Sequence, residues 1–103
     1  MKEVKEYNPS FSTDFRGDIW TTYREDETDI NLNFIHDKFS SSRKNVLRGL
    51  HGDNKTWKLI TCVSGEIYFV VVDNRPESET YLKWKWWILN DQNKKQILIP
   101  PQF

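Results

Sequence analysis

The chain contains no alanine, the residue with the highest helix propensity. Valine, isoleucine and threonine together number 21 and the aromatic residues number 15, and both groups of side chains pack well on the pleated surface of a sheet. Five Trp and six Phe supply a large buried area per residue, so a core can form although only 37% of the residues are hydrophobic. The composition therefore predicts an all-β fold with an aromatic core.

The length of 103 residues predicts a single domain that covers residues 1–103 and has a small core. Fifteen Lys and Arg balance fifteen Asp and Glu, so the chain lacks the positive field that binds a nucleic acid polymer. No apolar run approaches the ~20 residues that span a bilayer, and the N-terminus has no signal-like apolar region. The single cysteine, Cys62, excludes an internal disulfide framework. We therefore expect a cytoplasmic protein with no membrane partner and no nucleic acid partner.

Short runs of β-type residues alternate with turn-forming clusters, at the spacing of a sandwich or barrel. This spacing predicts a jelly-roll architecture. We predict seven strands at residues 19–23, 32–39, 46–50, 57–63, 66–72, 81–89 and 96–99. The acid-rich segment 23–31 lacks an apolar stripe, so we predict a solvated loop there.

The predicted strand 81–89 has two different faces. One face carries Leu82, Trp84, Trp86 and Ile88, and the other carries Lys83 and Lys85 followed by Trp87 and Leu89. Because side chains alternate across a strand, this pattern predicts that the first face packs and the lysine face is wet. Trp87 and Leu89 depart from the pattern, and we interpret them as a subunit interface in preference to a covered end of the sheet.

The two histidines limit the chemistry that the chain can perform. His51 follows Arg48 and Gly49, and the glycine lets the backbone bend or approach another group closely. From these residues alone, a functional histidine and an ordinary histidine at a strand end both remain open. His36, His51 and Asp53 also offer a two-histidine, one-carboxylate metal site. The chain lacks a His-x-His pair followed by Glu, so we favour a site without metal.

A series of motifs runs in order through residues 11–103 and resembles the dTDP-4-dehydrorhamnose 3,5-epimerase family. The most specific are the Arg-Gly-Leu-His element at 48–51 and the Lys-Leu pair at 58–59. The others lie at residues 14–17, 40–47, 64–67, 71–75, 78–84 and 99–103. The resemblance implies a cupin-type jelly roll that forms a homodimer and epimerises a nucleotide-linked 4-keto sugar without a metal or other cofactor.

The resemblance also implies roles for individual residues. His51 matches the catalytic base of the family, and Lys58 matches the lysine beside the developing enolate oxygen. Arg16 and Arg48 match the residues that hold the nucleotide diphosphate, which suits the planar fork of a guanidinium. Spacing alone would place Lys58 on the wet face of a strand and would give it no role.

The chain departs from the family pattern at positions that face the sugar and the base. His36 and Asp53 stand at sugar-facing positions, and Ile19, Trp20 and Thr21 replace residues that commonly meet thymine. These departures resemble a divergent branch that acts on GDP-linked 4-keto-heptoses in surface-polysaccharide biosynthesis. The expected substrate is therefore a GDP- or dTDP-linked 4-keto hexose or heptose, and we expect GDP to bind better than dTDP.

The match with the family pattern ends at Phe103, whereas members of the family run on past this element. The resemblance places the opposing acid, a tyrosine, and the aspartate that orients the base in that later stretch. We therefore expect the jelly roll to be incomplete at its C-terminus. Two functions remain open: an epimerase, and a non-catalytic jelly-roll module that binds a sugar nucleotide or a partner chain.

Overall fold

The computed structural model describes residues 1–103, apart from the side chain of Glu27. The chain forms seven strands and one short 3-10 helix, at Glu25–Glu27. In chain order the strands are β1 (Lys5–Tyr7), β2 (Phe11–Asp14), β3 (Gly17–Trp20), β4 (Lys58–Thr61), β5 (Glu66–Val72), β6 (Trp84–Asn90) and β7 (Gln96–Ile99). In the part of the chain that is described, no helix has the length and apolar character needed to cross a membrane.

The strands form three antiparallel sheets. In the largest sheet β7 lies between β1 and β4, with Leu98 opposite Lys5 and Ile99 opposite Lys58. All four residues of β7 are buried, which explains why this strand reads as a continuous apolar run after its first residue. The other two sheets are the hairpins β2–β3 and β5–β6.

The hydrophobic core lies between the large sheet and one face of the β5–β6 hairpin. Its buried members are Cys62, Val71, Trp87, Leu89, Ile97 and Ile99, and Ile60, Phe69 and Phe103 pack against them. Phe69 lies opposite Trp87 in the hairpin register, and their ring centroids are 6.5 Å apart. Aromatic pairs of this kind give a short hairpin a large share of its stability.

The structure reverses the predicted faces of strand 81–89. Trp87 and Leu89 are 6% and 0% exposed and belong to the core, whereas Trp84 and Trp86 are 60% and 51% exposed. The prediction that Trp87 and Leu89 form a subunit interface is therefore wrong. The lysines on this face do not mean that the whole face is exposed, because a long lysine stem can cover apolar surface while its charge reaches water. The ammonium of Lys85 lies 5.2 Å from the centre of the Trp87 ring.

The strand predictions divide into three groups. The strands at 66–72 and 96–99 are confirmed at their exact bounds, and those at 57–63, 81–89 and 19–23 are confirmed with shifted ends. The strands at 32–39 and 46–50 are wrong, because no neighbouring strand pairs with either segment in the structure. Segment 23–31 is not wholly a solvated loop, since it contains the short 3-10 helix and the buried Ile30.

Candidate functional site

The loop that carries His51 is fastened to the end of β7. The amide of Gln102 donates a hydrogen bond of 2.9 Å to the carbonyl oxygen of Asp53. A Cβ on Gly52 would lie only 2.6 Å from the carbonyl oxygen of Phe103. Only glycine allows this close approach between two backbones. Gly52 therefore lets the backbone next to His51 pack against the chain segment that follows β7.

Gly49 has the special backbone conformation that the sequence suggested. Its φ of 97° lies in a region that L side chains rarely adopt, and a Cβ there would lie 3.4 Å from Nδ1 of His51. The imidazole therefore folds back over Gly49 while remaining exposed to solvent. This arrangement leaves His51 accessible to a ligand on a loop whose backbone is held in place.

Asp53 organises the turn between His51 and β4. Its Oδ1 accepts hydrogen bonds from the amides of Lys55 and Thr56, at 2.9 and 2.7 Å. These bonds, led by the one from Lys55, together with the nearby charge of Lys58, lower the pKa of Asp53 to about 2. The carboxylate therefore stays ionised at neutral pH and stabilises the turn that leads into β4.

Lys58 is the first residue of β4 and lies opposite Ile99 of β7. It is half-buried, and by strand alternation it points to the same side of the sheet as Ile60, which packs against the core. Spacing alone suggested that Lys58 lies on the wet face of a strand, but the structure places it on a partly buried face. The charge of its ammonium acts on the Asp53 carboxylate in the preceding turn.

A buried ionic cluster that the sequence analysis did not identify supports the end of β7. Asp73 is 0% exposed and accepts hydrogen bonds from Nε and Nη2 of Arg75, at 2.9 and 2.8 Å. It also accepts from the hydroxyls of Ser78 and Thr80. The Arg75 guanidinium, before the other donors, holds the pKa of Asp73 well below its usual range.

The same cluster reaches the His51 loop through Phe103. The guanidinium carbon of Arg75 lies 4.6 Å from the centre of the Phe103 ring, and the Phe103 carbonyl oxygen abuts Gly52. The amide of Asn74 also donates to the carbonyl oxygen of Gln102, at 2.9 Å. The run of polar residues at 73–80, which includes Asp73, Arg75, Ser78 and Thr80, was the available sequence signal for this support.

The structure places the other predicted site residues elsewhere. Arg48 donates to the hydroxyl of Ser42 at 2.8 Å and to the carbonyl oxygen of Ser41 at 3.0 Å. Arg16 forms a two-pronged ion pair with Asp14, with Nε 3.1 Å and Nη2 2.6 Å from Oδ2. Asp14 consequently has a lowered pKa, caused first by the side-chain bonds from Arg16.

The segment 51–58 carries His51, Asp53 and Lys58, and the charge of Lys58 acts on the Asp53 carboxylate. Within the part of the chain that the structure describes, no hydrogen bond, ion pair or ring contact joins Arg16, Arg48 or His36 to this segment. The described residues also contain no group of three or more His, Cys, Asp or Glu that could hold a metal ion, so His36, His51 and Asp53 do not form a ligand set. The segment therefore presents an exposed imidazole, His51, and a half-buried lysine, Lys58.

A cleft of about 640 Å³ lies between β1, the β2–β3 hairpin and the segment after β3. Ile19, Trp20 and Thr21, the three residues that depart from the thymine-contacting pattern, line this cleft together with Tyr23. The indole nitrogen of Trp20 is buried and has no hydrogen-bond partner among the described residues. The residues predicted to contact the base therefore line a cleft that also contains aromatic side chains.

The fold defines the class of protein. Two β-sheets around an apolar core match the fold of solved sugar epimerases. The structure of a dTDP-6-deoxy-D-glucose-3,5-epimerase from Legionella pneumophila, in complex with dTDP-4-keto-L-rhamnose, has a TM-score of 0.92 and 35% identity, covering 100% of this chain and 58% of that one. A dTDP-4-dehydrorhamnose 3,5-epimerase from Bacillus anthracis, with TDP and PPi bound, has a TM-score of 0.87 and 32% identity over 97% of this chain and 61% of that one. The predicted all-β, cupin-type fold is confirmed.

Comparison with protein families gives the same answer. The model of the dTDP-4-dehydrorhamnose 3,5-epimerase family matches residues 1–103. The dTDP-4-dehydrorhamnose 3,5-epimerase of Salmonella typhimurium is 39% identical over 110 residues, which cover 100% of this chain and 60% of that protein. The chain belongs to the dTDP-4-dehydrorhamnose 3,5-epimerase family. It spans about 60% of the length of the Salmonella relative.

Proposed function

We propose that the chain acts as a nucleotide-sugar epimerase, which removes and returns a proton beside the 4-keto group of its substrate. The observation that carries this proposal is the placement of His51 and Lys58 on one fastened segment of a chain that belongs to the epimerase family. The expected reaction is inversion at C3, C5 or both. The proposed setting is surface-polysaccharide biosynthesis in the cytoplasm.

The proposed chemistry follows from the two side chains. The imidazole of His51 accepts a proton from the carbon beside the ketone, and the electron pair of the broken C–H bond is delocalised onto the C4 oxygen. The ammonium of Lys58 offsets the negative charge that develops on that oxygen. Return of a proton to the opposite face of the same carbon inverts its configuration. Each of these steps uses side chains and the substrate, and none needs a metal or other cofactor.

The nucleotide part of the substrate is proposed to lie along the arginines. The forks of Arg16 and Arg48 suit phosphate oxygens, and in the structure they hold Asp14 and Ser42, groups that a diphosphate can replace. His36 and Asp53 are the proposed contacts to the sugar. The relatives named above bind or act on dTDP compounds. In this chain Ile19, Trp20 and Thr21 replace residues that commonly meet thymine, so we expect GDP to bind better than dTDP.

A second copy of the chain is the proposed partner. Tyr68, Trp84 and Trp86 form an exposed aromatic surface on the outer face of the β5–β6 hairpin. The rings of Tyr68 and Trp86 lie 5.5 Å apart across the strands. An exposed apolar face of this kind is typical of a subunit interface, so the proposed assembly is a homodimer.

The test of the proposed function is deuterium uptake by a 4-keto nucleotide sugar in heavy water, measured by mass spectrometry. His51→Asn should abolish uptake, and Lys58→Met should slow it by about 10²–10³, the usual effect of removing one group that stabilises a developing oxyanion. Lys55→Met, in the same turn, is the matched control and should leave uptake unchanged. Equal uptake with His51→Asn would remove His51 from its proposed role.

Calorimetric titration with GDP and dTDP tests the nucleotide preference separately. Tighter binding of dTDP would contradict the expected preference for GDP and leave the epimerase proposal standing. Binding of either nucleotide without deuterium uptake would instead identify the chain as a non-catalytic module that binds sugar nucleotides.

A further inference from the structure

Lys94 is a buried lysine that the proposed chemistry does not use. It lies in the turn between β6 and β7 and is only 2% exposed. Its φ of 54° lies in the left-handed region, which is uncommon for a residue other than glycine. A buried charge in such a conformation needs strong compensating contacts, and its side chain makes four of them.

All four contacts of the Lys94 ammonium are short. Nζ donates to Oδ2 of Asp18 at 2.9 Å and to the carbonyl oxygen of Asp91 at 2.6 Å. It also lies 4.5 Å from the centre of the Phe11 ring and 4.6 Å from the centre of the Trp20 ring. A desolvated cation in contact with two aromatic faces is held about as firmly as by a further hydrogen bond.

Three of these four partners belong to the β2–β3 hairpin. Phe11 and Trp20 face each other across its two strands, and Asp18 lies near its turn. The hairpin forms a sheet of its own without strand pairing to the other sheets, and an isolated two-stranded hairpin is marginally stable in water. Lys94 therefore attaches the hairpin to the body of the fold, together with Gln96, whose Nε2 donates to the Thr22 carbonyl oxygen at 2.5 Å.

The hairpin presents Arg16 at its turn. Arg16 lies two residues before Asp18, and the second oxygen of Asp18 accepts a bond of 2.6 Å from the hydroxyl of Thr13 on the opposite strand. The carboxylate of Asp18 thus joins the two strands next to the turn and joins both of them to Lys94. Any movement of the hairpin relative to Lys94 carries the Arg16 guanidinium with it.

We propose that Lys94 is a positioning residue that holds the β2–β3 hairpin so that Arg16 can bind the diphosphate of a nucleotide. The proposal rests on the proposed function, in which Arg16 binds phosphate. Lys94 itself touches no substrate in this account. It acts through the aromatic pair and the Asp18 carboxylate.

The first measurement is hydrogen exchange of backbone amides in the 103-residue chain. Lys94→Met keeps a linear apolar side chain against the two rings and removes the charge. It should accelerate exchange in β2 and β3 by about tenfold or more, which corresponds to loss of a charge-assisted hydrogen bond. Exchange in β5 should not change. Lys95→Met is the matched control, because Lys95 contacts Glu6 and Asn8 and does not contact the hairpin.

The second measurement is binding of dTDP and of GDP by calorimetry to Lys94→Met, Arg16→Gln and the double variant. We expect each single variant to weaken binding by about tenfold, and the double variant to bind no worse than Arg16→Gln alone, because positioning has no value without the positioned group. The Lys95→Met control should bind as the unmodified chain does. If Lys94→Met fails to fold, Asp18→Ala removes the carboxylate that accepts from Lys94 and from Thr13, and leaves the Lys94 side chain in place.

Three outcomes would overturn the proposal. Unchanged exchange in β2 and β3 would show that Lys94 does not hold the hairpin. If the double variant weakens nucleotide binding by the product of the two single-variant factors, Lys94 acts independently of Arg16. If Arg16→Gln leaves the binding of both nucleotides unchanged, the role of Arg16 in the proposed function fails, and that failure is recognised independently of the exchange result.

Discussion

Replacing Asp73 by Asn is the sharpest test of the support beneath the His51 loop. The substitution keeps the shape of the side chain but replaces Oδ2, which accepts from Nη2 of Arg75 and from the hydroxyls of Ser78 and Thr80. The two hydroxyls can rotate and accept bonds from the new amide. The guanidinium cannot do so, because it has only donors. A donor would then face a donor at a fully buried position.

The cost of Asp73→Asn can be estimated from these contacts. Loss of a hydrogen bond to a charged group costs about 1.5–3 kcal/mol, and burying mismatched polar groups adds to this cost. We expect the free energy of unfolding to fall by about 2–4 kcal/mol, out of the roughly 5–15 kcal/mol typical of a domain. The matched control is Asp26→Asn, at an exposed pair with Arg24, where the expected loss is about 0–1 kcal/mol.

The effect of Asp73→Asn should also depend on pH. The folded state holds the pKa of Asp73 well below its usual range, first through Arg75, whereas the unfolded chain has an ordinary pKa of about 3.9. A lowered pKa stabilises the fold fully above the unfolded value, and this stabilisation is lost progressively as the pH falls below it. The difference between Asp73→Asn and the unmodified chain should therefore be constant above about pH 5 and shrink at lower pH.

Urea unfolding at pH 6, 4 and 3 measures the free energy of unfolding for the unmodified chain and both variants. A difference for Asp73→Asn that is close to zero at pH 6, or one that does not shrink by pH 3, would refute the assignment of Asp73 as an ionised, buried anchor. Deuterium uptake by Asp73→Asn at pH 7 should also fall, because Arg75 and Phe103 connect this carboxylate to the His51 loop.

Two further predictions concern the loop and the outer face of the hairpin. Gly52→Ala should lower stability by about 1–3 kcal/mol and also slow deuterium uptake, since its Cβ would collide with the Phe103 carbonyl oxygen. The control is Gly65→Ala, which is strained at φ 82° but has open space around it, so it should lower stability without slowing uptake. Equal uptake by both variants would disprove the steric role of Gly52. Sedimentation equilibrium should show the chain as a dimer or larger assembly, and Trp86→Glu should shift it toward monomer with unchanged secondary structure, whereas a monomeric unmodified chain would rule out the outer face as an interface.

The parts of the fold that were predictable from sequence are those whose signal is local. The strands at 66–72 and 96–99 are apolar after a polar first residue and follow clear turn residues, so their bounds could be read directly. The segments at 32–39 and 46–50 have the same strand-like composition, but a strand also needs a neighbour to satisfy its backbone groups. That requirement depends on long-range pairing, which composition does not report.

The candidate site was predictable to a similar degree. The resemblance singled out His51 and Lys58, and the structure places them on one segment, but the Asp73–Arg75 cluster and Lys94 were missed. The contacts within the Asp73 cluster are local, but its link to the His51 loop depends on Phe103, and the burial of Lys94 depends on partners far away in the chain, such as Phe11. A lysine in a turn is ordinarily exposed, so no local pattern distinguishes Lys94 from its neighbour Lys95.

The last prediction follows from the two faces of the β5–β6 hairpin. Inversion needs an acid that returns a proton to the face opposite His51, and Tyr68 and Tyr81 are the tyrosines nearest to the site motifs along the chain. Tyr68 lies on the outer face of β5, opposite Ile88, whereas Lys58 points to the core side of β4. Tyr81 lies in the turn region that follows the Asp73 cluster and is exposed. Neither of these two tyrosines therefore makes a contact in the structure that would assign it as the acid opposite the proposed base, His51.

We accordingly expect the 103-residue chain to exchange substrate protons faster than it inverts the carbon that carries them. A proton returned by the same imidazole restores the original configuration, so deuterium enters without a new epimer. Inversion should be slower than exchange by about 10²–10⁴, the usual contribution of one acid–base partner. Mass spectrometry measures uptake and proton NMR coupling constants measure inversion on the same sample. Equal rates would show that a residue of this chain supplies the acid, and Tyr68→Phe and Tyr81→Phe would then identify which tyrosine it is.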